Sequence, residues 1–164
     1  PADPAGRSLP AGSTTPHAEP VPLRCCNPPA LKLVAMEQVE PTLYDAAGGM
    51  EFFERLVDTF YDGVEQDDVL APLYPEAPDF SGARRRLRLF LAQYWGGPGT
   101  YSSERGHPRL RMRHFPFPVG PRQRDRWLFH MTNAVESLTA EGPIRQALLD
   151  YFVMAADQMM NSHD

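Results

Sequence analysis

Apolar side chains spaced three and four residues apart recur along this chain of 164 residues, and no other feature restricts its fold as strongly. In an α-helix this spacing gathers the side chains on one face, whereas a half-buried strand would alternate strictly. After Gly48-Gly49, the stripe comprises Phe53, Leu56, Val57, Phe60, Tyr61 and Val64. The segment is therefore predicted to be a helix that buries one face.

Proline and glycine indicate where further helices begin and end. Ser81 is expected to cap a helix that stops at Gly96-Gly97-Pro98. Pro121 is expected to open a long helix ending at Gly142, and Pro143 to open the last one. The helix after Ser81 carries the stripe Ala83, Leu87, Phe90, Leu91, Tyr94 and Trp95. Four long helices and several short ones then share a core, which predicts an all-α fold.

Two shorter segments connect the long helices. Asp67-Asp68 offers an N-cap for a short turn that runs through Tyr74. Residues 108–114 alternate in polarity as a strand does, but nearby prolines favour a short helix with Pro108 at its first position. No convincing strand is predicted in either segment.

The N-terminal part differs from the rest in composition. Residues 1–35 hold eight of the 18 prolines and show no hydrophobic period, so they bury too little surface to offset the cost of ordering. We predict a disordered proline-rich arm over residues 1–38 and one folded domain over residues 39–164. Met36 is a natural initiator, and whether residues 1–35 are upstream sequence or a dispensable arm stays open.

Several classes of protein lack support in the sequence. There is no run of roughly 20 apolar residues for a membrane span and no apolar secretory signal, so a cytoplasmic protein is expected. Cys25 and Cys26 are adjacent, where a mutual disulfide would be strained. Glycine-rich nucleotide loops and Gly-x-Ser-x-Gly elbows are missing, which removes the main support for nucleotide-binding and hydrolase functions.

The net charge of −5 conceals a strong asymmetry along the chain. Residues 40–83 carry eleven acidic residues and one arginine, whereas residues 84–126 carry eleven arginines and two acidic residues. These side chains can simply form solvated helix faces. The alternative is an anionic partner, either nucleic acid read by Arg84-Arg85-Arg86 and its neighbours or the two propionates of a haem.

His114 has the surroundings that an axial haem ligand requires. In a helical segment Leu110 lies one turn before it, and Arg113 flanks it. Phe115 and Phe117 follow, so the ring would stand at an apolar wall edged with cations, and haem needs both features. The sequence has no Cys-x-x-Cys-His, so the expected cofactor is haem b without thioether bonds.

The other histidines are weaker candidates for a metal or haem ligand. His17 lies in the predicted arm and His163 at the tail. His107 lies seven residues before His114 and could join it and Glu104 in a zinc site, but a third firm ligand is missing. The zinc site is thus the alternative to haem binding at His114.

Three runs of residues form a recognisable pattern: Tyr94-Trp95-Gly96-Gly97-Pro98, Tyr101-Ser102, and Arg-Gly-His-Pro-Arg-Leu-Arg-Met-Arg-His over residues 105–114. They closely resemble the truncated haemoglobins of the second group, the O type. Residues 43–49 and the turn Leu73-Tyr74-Pro75 fit the same family, and the resemblance extends from about residue 41 to residue 162. It implies a two-over-two helical sandwich, shorter than an ordinary globin.

The resemblance also implies roles for individual residues. His114 corresponds to the proximal iron ligand, and Ala83 takes the place where many globins have a distal histidine. The distal polar groups, which stabilise the bound gas, correspond to Tyr61, Tyr74 and Trp127. The remaining pocket residues are Leu87 and Phe90 on the apolar side, with Arg86 and Arg113 as partners of the haem propionates.

The resemblance implies a haem protein that reversibly binds O2 and other diatomic ligands such as CO and NO, with NO-detoxifying or peroxidase-like chemistry as further activities. Strong retention of O2 argues against transport, and redox turnover would need an external reductase. Nucleic acid is not an expected partner under this interpretation, and the oligomeric state, a homodimer included, stays open. The second hypothesis is an arginine-rich helical module that binds nucleic acid or an acidic protein.

Overall fold

The computed structural model describes residues 40–163, so the predicted arm over residues 1–38 lies outside the described part. Within it the structure is helical, without a strand, which confirms the all-α prediction. None of its helices is both long enough and apolar enough to cross a bilayer. The helices are α1 (Leu43–Ala47), α2 (Gly49–Val64), a 3₁₀-helix (Ala71–Leu73), α3 (Ser81–Tyr94), α4 (Thr100–Arg105), α5 (Leu110–His114), α6 (Pro121–Leu138) and α7 (Pro143–Met159).

The four long helices, α2, α3, α6 and α7, form two stacked pairs. Helix α2 packs against α3 and α6, and α6 packs against α7. All six apolar side chains of the predicted α2 stripe are buried. Burying one large apolar side chain contributes about 1.5–3 kcal/mol, so this stripe supplies much of the free energy that holds α2 in place. The predicted two-over-two helical sandwich is confirmed.

The two prolines predicted to open long helices do so. Pro121 and Pro143 occupy the first positions of α6 and α7, where a missing N–H costs nothing and the fixed φ suits the helix. Helix α6 ends at Leu138, not at Gly142 as predicted. Thr139 already has extended backbone, and its amide and hydroxyl donate to the Val135 carbonyl at 3.0 and 2.6 Å. These two bonds close the helix.

Two predicted helix starts are wrong. Ser81 is the first residue of α3 and not its cap, and its amide donates to Asp79 Oδ1 at 2.9 Å. Asp79 therefore satisfies a free amide of the first turn. Pro108 does not open α5, which begins at Leu110. Arg109 between them has a φ of 42°, in the left-handed region, so the helix cannot extend back to the proline.

Gly96-Gly97 ends α3 because the chain passes very close to the start of α1. Gly96 has a φ of 100°, and a Cβ atom there would lie 2.6 Å from Thr42. A Cβ atom at Gly97 would lie 2.6 Å from the Tyr44 ring. Both glycines are therefore required by close approach. Tyr94, which was predicted on the buried stripe of α3, is instead 50% exposed.

A single buried carboxylate joins the turn after α2 to helix α6. Asp67 is 3% exposed, and its Oδ1 accepts hydrogen bonds from the amides of Val69 and Leu70 at 2.8 and 3.1 Å, as expected for a cap. Its Oδ2 lies 2.7 Å from both Arg126 Nε and His130 Nε2 on α6. Burial alone would raise the pKa of Asp67, but the bonds to His130 and Arg126 outweigh burial and hold the pKa well below its ordinary value.

Helices α2 and α6 approach each other closely beside this carboxylate. A Cβ atom at Gly63 would lie 2.3 Å from Nδ1 of His130, so only glycine leaves room for the imidazole ring. The same ring reaches Asp67 through its other nitrogen. His130 is thus fixed between α2 and the turn that follows it.

Replacing Asp67 with asparagine should lower the free energy of unfolding by about 1–3 kcal/mol at neutral pH, because Arg126 and His130 lose a charged acceptor. The carboxyl binds its proton more weakly in the folded state than in the unfolded state, where its pKa is about 3.9. Its contribution is therefore complete above about pH 4 and is lost as the pH falls below that value. Urea unfolding at several pH values measures both effects.

The matched control is Asp68→Asn, because Asp68 is the exposed neighbour of Asp67. This control should change the free energy of unfolding by less than about 0.5 kcal/mol. Equal losses in the two variants, or a loss in Asp67→Asn that persists unchanged at acid pH, would contradict the role given to Asp67.

Candidate functional site

A cavity of about 540 Å³ lies within the helical sandwich. Its walls come from α2, α3, α4, α5, α6 and α7 and from the segment that contains the 3₁₀-helix. Volumes of about 300–1,000 Å³ are typical of sites for small molecules and cofactors. All nine residues to which the family resemblance gave a role in the pocket line this cavity: Tyr61, Tyr74, Ala83, Arg86, Leu87, Phe90, Arg113, His114 and Trp127.

His114 ends α5 and contributes a half-buried imidazole to the cavity wall. Its Nδ1 lies 2.8 Å from the carbonyl oxygen of Leu110, one turn earlier. A carbonyl oxygen can only accept, so in the neutral ring Nδ1 carries the proton and the lone pair is on Nε2. The bond fixes this tautomer and the orientation of the ring, which is the state in which histidine binds a metal.

Tyr61 of α2 and Tyr74 after the 3₁₀-helix bring two phenols together in the cavity wall. Their ring centroids are 5.6 Å apart in an edge-on arrangement. Burial raises the pKa of Tyr61 well above its ordinary value, and the neighbouring Tyr74 adds to the rise. Burial also raises the pKa of Tyr74, against smaller opposing effects of Tyr61 and Arg86. Both hydroxyls therefore stay protonated at neutral pH and can donate hydrogen bonds.

Trp127 reaches the cavity from α6, one residue after the arginine that holds Asp67. Its ring packs between Phe60 of α2, at a centroid distance of 5.2 Å, and Phe152 of α7, at 5.8 Å. These ring contacts hold the indole in place, and its N–H has no hydrogen-bond partner among the described residues. Its N–H is therefore a third donor that a ligand in the cavity can use.

Helix α3 forms an apolar wall of the cavity. It presents Ala83, Leu87 and Phe90 at intervals of about one turn. The sequence pattern did not single out Tyr101, which is buried on α4, packs 5.6 Å from the Phe90 ring and also lines the cavity. Tyr101 lies within one of the recognised runs, but only the packing of α4 on α3 shows that it faces the cavity.

The wall beside His114 was predicted only in part. Leu110 and Phe117 line the cavity, as expected from their positions around His114. Phe115 is 78% exposed and does not line the cavity, so its predicted place in the wall is wrong. Helix α5 ends at His114, and of the two phenylalanines that follow, Phe115 is exposed whereas Phe117 lines the cavity.

Four arginines line the cavity, and two of them, Arg105 and Arg124, were not predicted. Arg86 donates two hydrogen bonds to the carboxylate of Glu76 at 2.8 and 2.9 Å. Arg113 donates to two backbone carbonyl oxygens at 2.8 and 2.9 Å. Fixed cations beside an apolar cavity suit a ligand with a flat apolar body and anionic groups at its edge.

The alternative zinc site is not formed. Within residues 40–163, no three side chains of the metal-binding types lie close enough to hold a metal ion. Nδ1 of His107 instead accepts a hydrogen bond from the Arg109 amide at 3.2 Å. Glu104 pairs with Arg85, where Nη2 and Oε1 are 2.6 Å apart.

Comparison with known proteins supports a globin architecture. Residues 42–161 match the bacterial-like globin family. Over 118 residues the chain is 41% identical to the group 2 truncated hemoglobin YjbI of Bacillus subtilis, an alignment that spans 72% of this chain and 87% of that protein.

Solved structures agree with this match. The thermostable hemoglobin of the actinobacterium Thermobifida fusca is 56% identical, with a TM-score of 0.72 over 74% of this chain and 98% of that one. The group II truncated hemoglobin of Bacillus anthracis is 37% identical, with a TM-score of 0.72 over 76% of this chain and 95% of that one. A two-over-two helical sandwich around such a cavity defines a small globin. This chain belongs to the group II truncated haemoglobins of the bacterial-like globin family, which implies a haem cofactor and haem-based binding of oxygen.

Replacing Tyr61 or Tyr74 with phenylalanine should leave the tyrosinate absorbance of the folded protein nearly unchanged at about pH 10, because burial raises the pKa of both phenols above the ordinary value of about 10. In urea, each variant should lose one sixth of the amplitude, since the chain has six tyrosines. The unfolded chain ionises first, so the free energy of unfolding should fall as the pH rises above about 10. Ultraviolet difference spectroscopy measures the amplitudes, and a smaller signal in either folded variant contradicts the expectation.

Proposed function

We propose that this protein binds haem b in the cavity, with His114 as the proximal ligand of the iron and O2 or another diatomic gas as its exchangeable ligand. One observation carries the proposal: an imidazole with a free Nε2 lone pair, three proton donors and a cationic rim all face one cavity of about 540 Å³. When bound, haem supplies an iron that binds diatomic gases. The proposed domain boundaries are 39–164 for the globin domain and 1–38 for an arm.

The residues of the cavity fit this cofactor. The apolar wall of Ala83, Leu87 and Phe90 suits the flat face of a porphyrin, and Arg86 and Arg113 are the proposed partners of its propionates. His114 needs no rearrangement of its proton, because the bond to Leu110 already leaves Nε2 as the ligating nitrogen. A bare metal ion would instead require several converging ligands, which residues 40–163 do not provide.

The three donors explain how the protein would retain a gas. Tyr61, Tyr74 and Trp127 come from α2, from the turn after the 3₁₀-helix and from α6, so each is held by a different part of the sandwich. A diatomic ligand that accepts electron density becomes a stronger hydrogen-bond acceptor, and donors fixed beforehand stabilise it without reorganisation. Each such bond contributes on the order of 1–2 kcal/mol.

We further propose that the protein acts in the cytoplasm and that NO detoxification or a peroxidase-like reaction accompanies O2 binding. Such turnover would take electrons from an external reductase. Retention by three donors makes release of O2 slow, which argues against a transport function.

Replacing His114 with alanine should abolish tight retention of haem, because no other described side chain of the cavity is an imidazole. The measurement is the Soret band after addition of hemin and gel filtration. Exposed His107, seven residues earlier, is the matched control, and His107→Ala should retain haem. Imidazole added to a His114→Gly variant should restore the band. A His114→Ala variant that keeps an unaltered Soret band would exclude His114 as the proximal ligand.

Replacing Trp127 with phenylalanine should leave haem binding intact and raise the O2 dissociation rate by roughly tenfold, the effect of losing about 1.4 kcal/mol of hydrogen bonding. Stopped-flow displacement of O2 by CO measures this rate. Trp95→Phe is the control, because Trp95 does not line the cavity and should leave the rate unchanged. Equal rates in Trp127→Phe and the parent protein would remove Trp127 from the distal role.

A further inference from the structure

The segment around α5 is an exposed basic surface at the edge of the cavity. Residues 105–124 contain six arginines and no acidic residue. Arg105, Arg109, Arg111 and Arg113 are exposed, and none has a carboxylate within salt-bridge distance among the described residues. We call residues 105–115 the α5 surface. Its positive charge is thus not neutralised within the described part of the chain.

The arginines of α3 differ from those of the α5 surface. Each of them pairs with a carboxylate from another part of the fold: Arg84 with Asp58, Asp62 and Glu65, Arg85 with Glu104, Arg86 with Glu76, and Arg88 with Glu54. The run Arg84-Arg85-Arg86 therefore does not form the free anion-binding surface that the nucleic-acid hypothesis requires. A free basic surface remains at α5.

Two large apolar side chains lie exposed among these arginines. Met112 is 67% exposed and Phe115 is 78% exposed. Apolar anchors ringed by cations are typical of a surface that binds a protein of opposite charge, since the anchors bury area while the charges steer the encounter. A polyanion without apolar surface would not bury Met112 and Phe115.

The backbone of Arg109 provides an independent observation. Its φ of 42° and ψ of 48° place it in the left-handed region, and it is the one non-glycine residue of the described part with a positive φ. This conformation costs an L-residue about 1–2 kcal/mol, whereas glycine adopts it freely. The Arg109 side chain is exposed, and the hydrogen bonds of this residue are made by its backbone: the amide donates to Nδ1 of His107, and the carbonyl accepts from the Arg113 amide. Glycine would therefore fit this backbone conformation at least as well as arginine. An arginine occupies the position despite the strain.

We propose that the α5 surface docks an acidic electron-donor protein, an inference that rests on the proposed haem function. Arg105 and Arg113 belong to both the α5 surface and the cavity wall, so a partner bound here lies next to the cofactor. The donor, a reduced flavoprotein, would give up one electron and be oxidised by one electron, and haem held by His114 would be the group that accepts it. No atom is transferred. Charge attraction speeds the encounter and weakens as salt is added.

The test uses the full chain loaded with haem and a flavodoxin as the acidic redox probe, with the dissociation constant measured by isothermal titration at low and at high salt. Arg109→Gly and Arg111→Gln should each weaken binding at low salt by roughly twofold to fivefold. Arg55→Gln is the matched control, because Arg55 is exposed on α2, away from α5, and should leave binding unchanged. Arg109→Gly should also melt at the same temperature as the parent or higher, with an unchanged Soret band.

Three results would overturn the proposal. The first is binding that both Arg109→Gly and Arg111→Gln leave unchanged, or no binding of flavodoxin at low salt. The second is tighter binding of a DNA oligonucleotide of equal charge, which would make the α5 surface a nucleic-acid site. The third is a dimer on gel filtration that Met112→Ser or Phe115→Ser dissolves, which would assign the surface to a second copy. If the protein does not take up hemin, the proposed haem function is wrong. The docking proposal can still be tested in that case, by measuring flavodoxin binding to the protein without haem.

Discussion

Helices in a domain of this size normally pack at the density of an organic crystal, and here they are held apart around a cavity of about 540 Å³. Holding them apart requires firm contacts at the margin of the cavity. Asp67 provides one by joining the turn after α2 to Arg126 and His130 on α6. The close approach of His130 to Gly63 provides another. Through these contacts the two helices that carry Tyr61 and Trp127 keep a fixed separation.

The chemistry of the cavity follows from how its polar groups are satisfied. Nδ1 of His114 donates a hydrogen bond to the Leu110 carbonyl in the same helix, which leaves Nε2 free to act as a ligand. Tyr61 and Tyr74 keep their protons because burial disfavours the charged form. The aromatic rings of Phe60 and Phe152 position Trp127, so its N–H stays available to a ligand in the cavity. The cavity wall thus combines one acceptor nitrogen with three hydrogen-bond donors whose positions are set by the fold.

The arginines that make one part of the sequence basic fall into two groups, one paired with carboxylates and one unpaired. The acidic residues of α2 and the arginines of α3 face each other and form ion pairs between neighbouring helices. Such exposed pairs contribute little free energy individually, and they leave α3 with little free charge. The arginines of the α5 surface have no such partners, and one of them occupies strained backbone. The arginines of the α5 surface thus place unpaired positive charge beside the cavity.

Local sequence determined the elements of this protein. The apolar spacing of α2 and the prolines that open α6 and α7 depend on interactions within a few residues, so they could be predicted directly. Gly96-Gly97 also predicted the end of α3, but the close approach of Thr42 and Tyr44 that requires these glycines is a tertiary contact. The nine site residues could be predicted because the motifs that carry them are specific, and all nine line one cavity.

Other features were decided only by the tertiary structure. Asp67 meets its partners 59 and 63 residues further along the chain, Tyr101 reaches the cavity through the packing of α4 on α3, and Phe115 turns outward where α5 ends. Spacing along a chain fixes which side chains share a face of one helix. It carries no information on which faces meet, because that depends on how helices distant in sequence pack together.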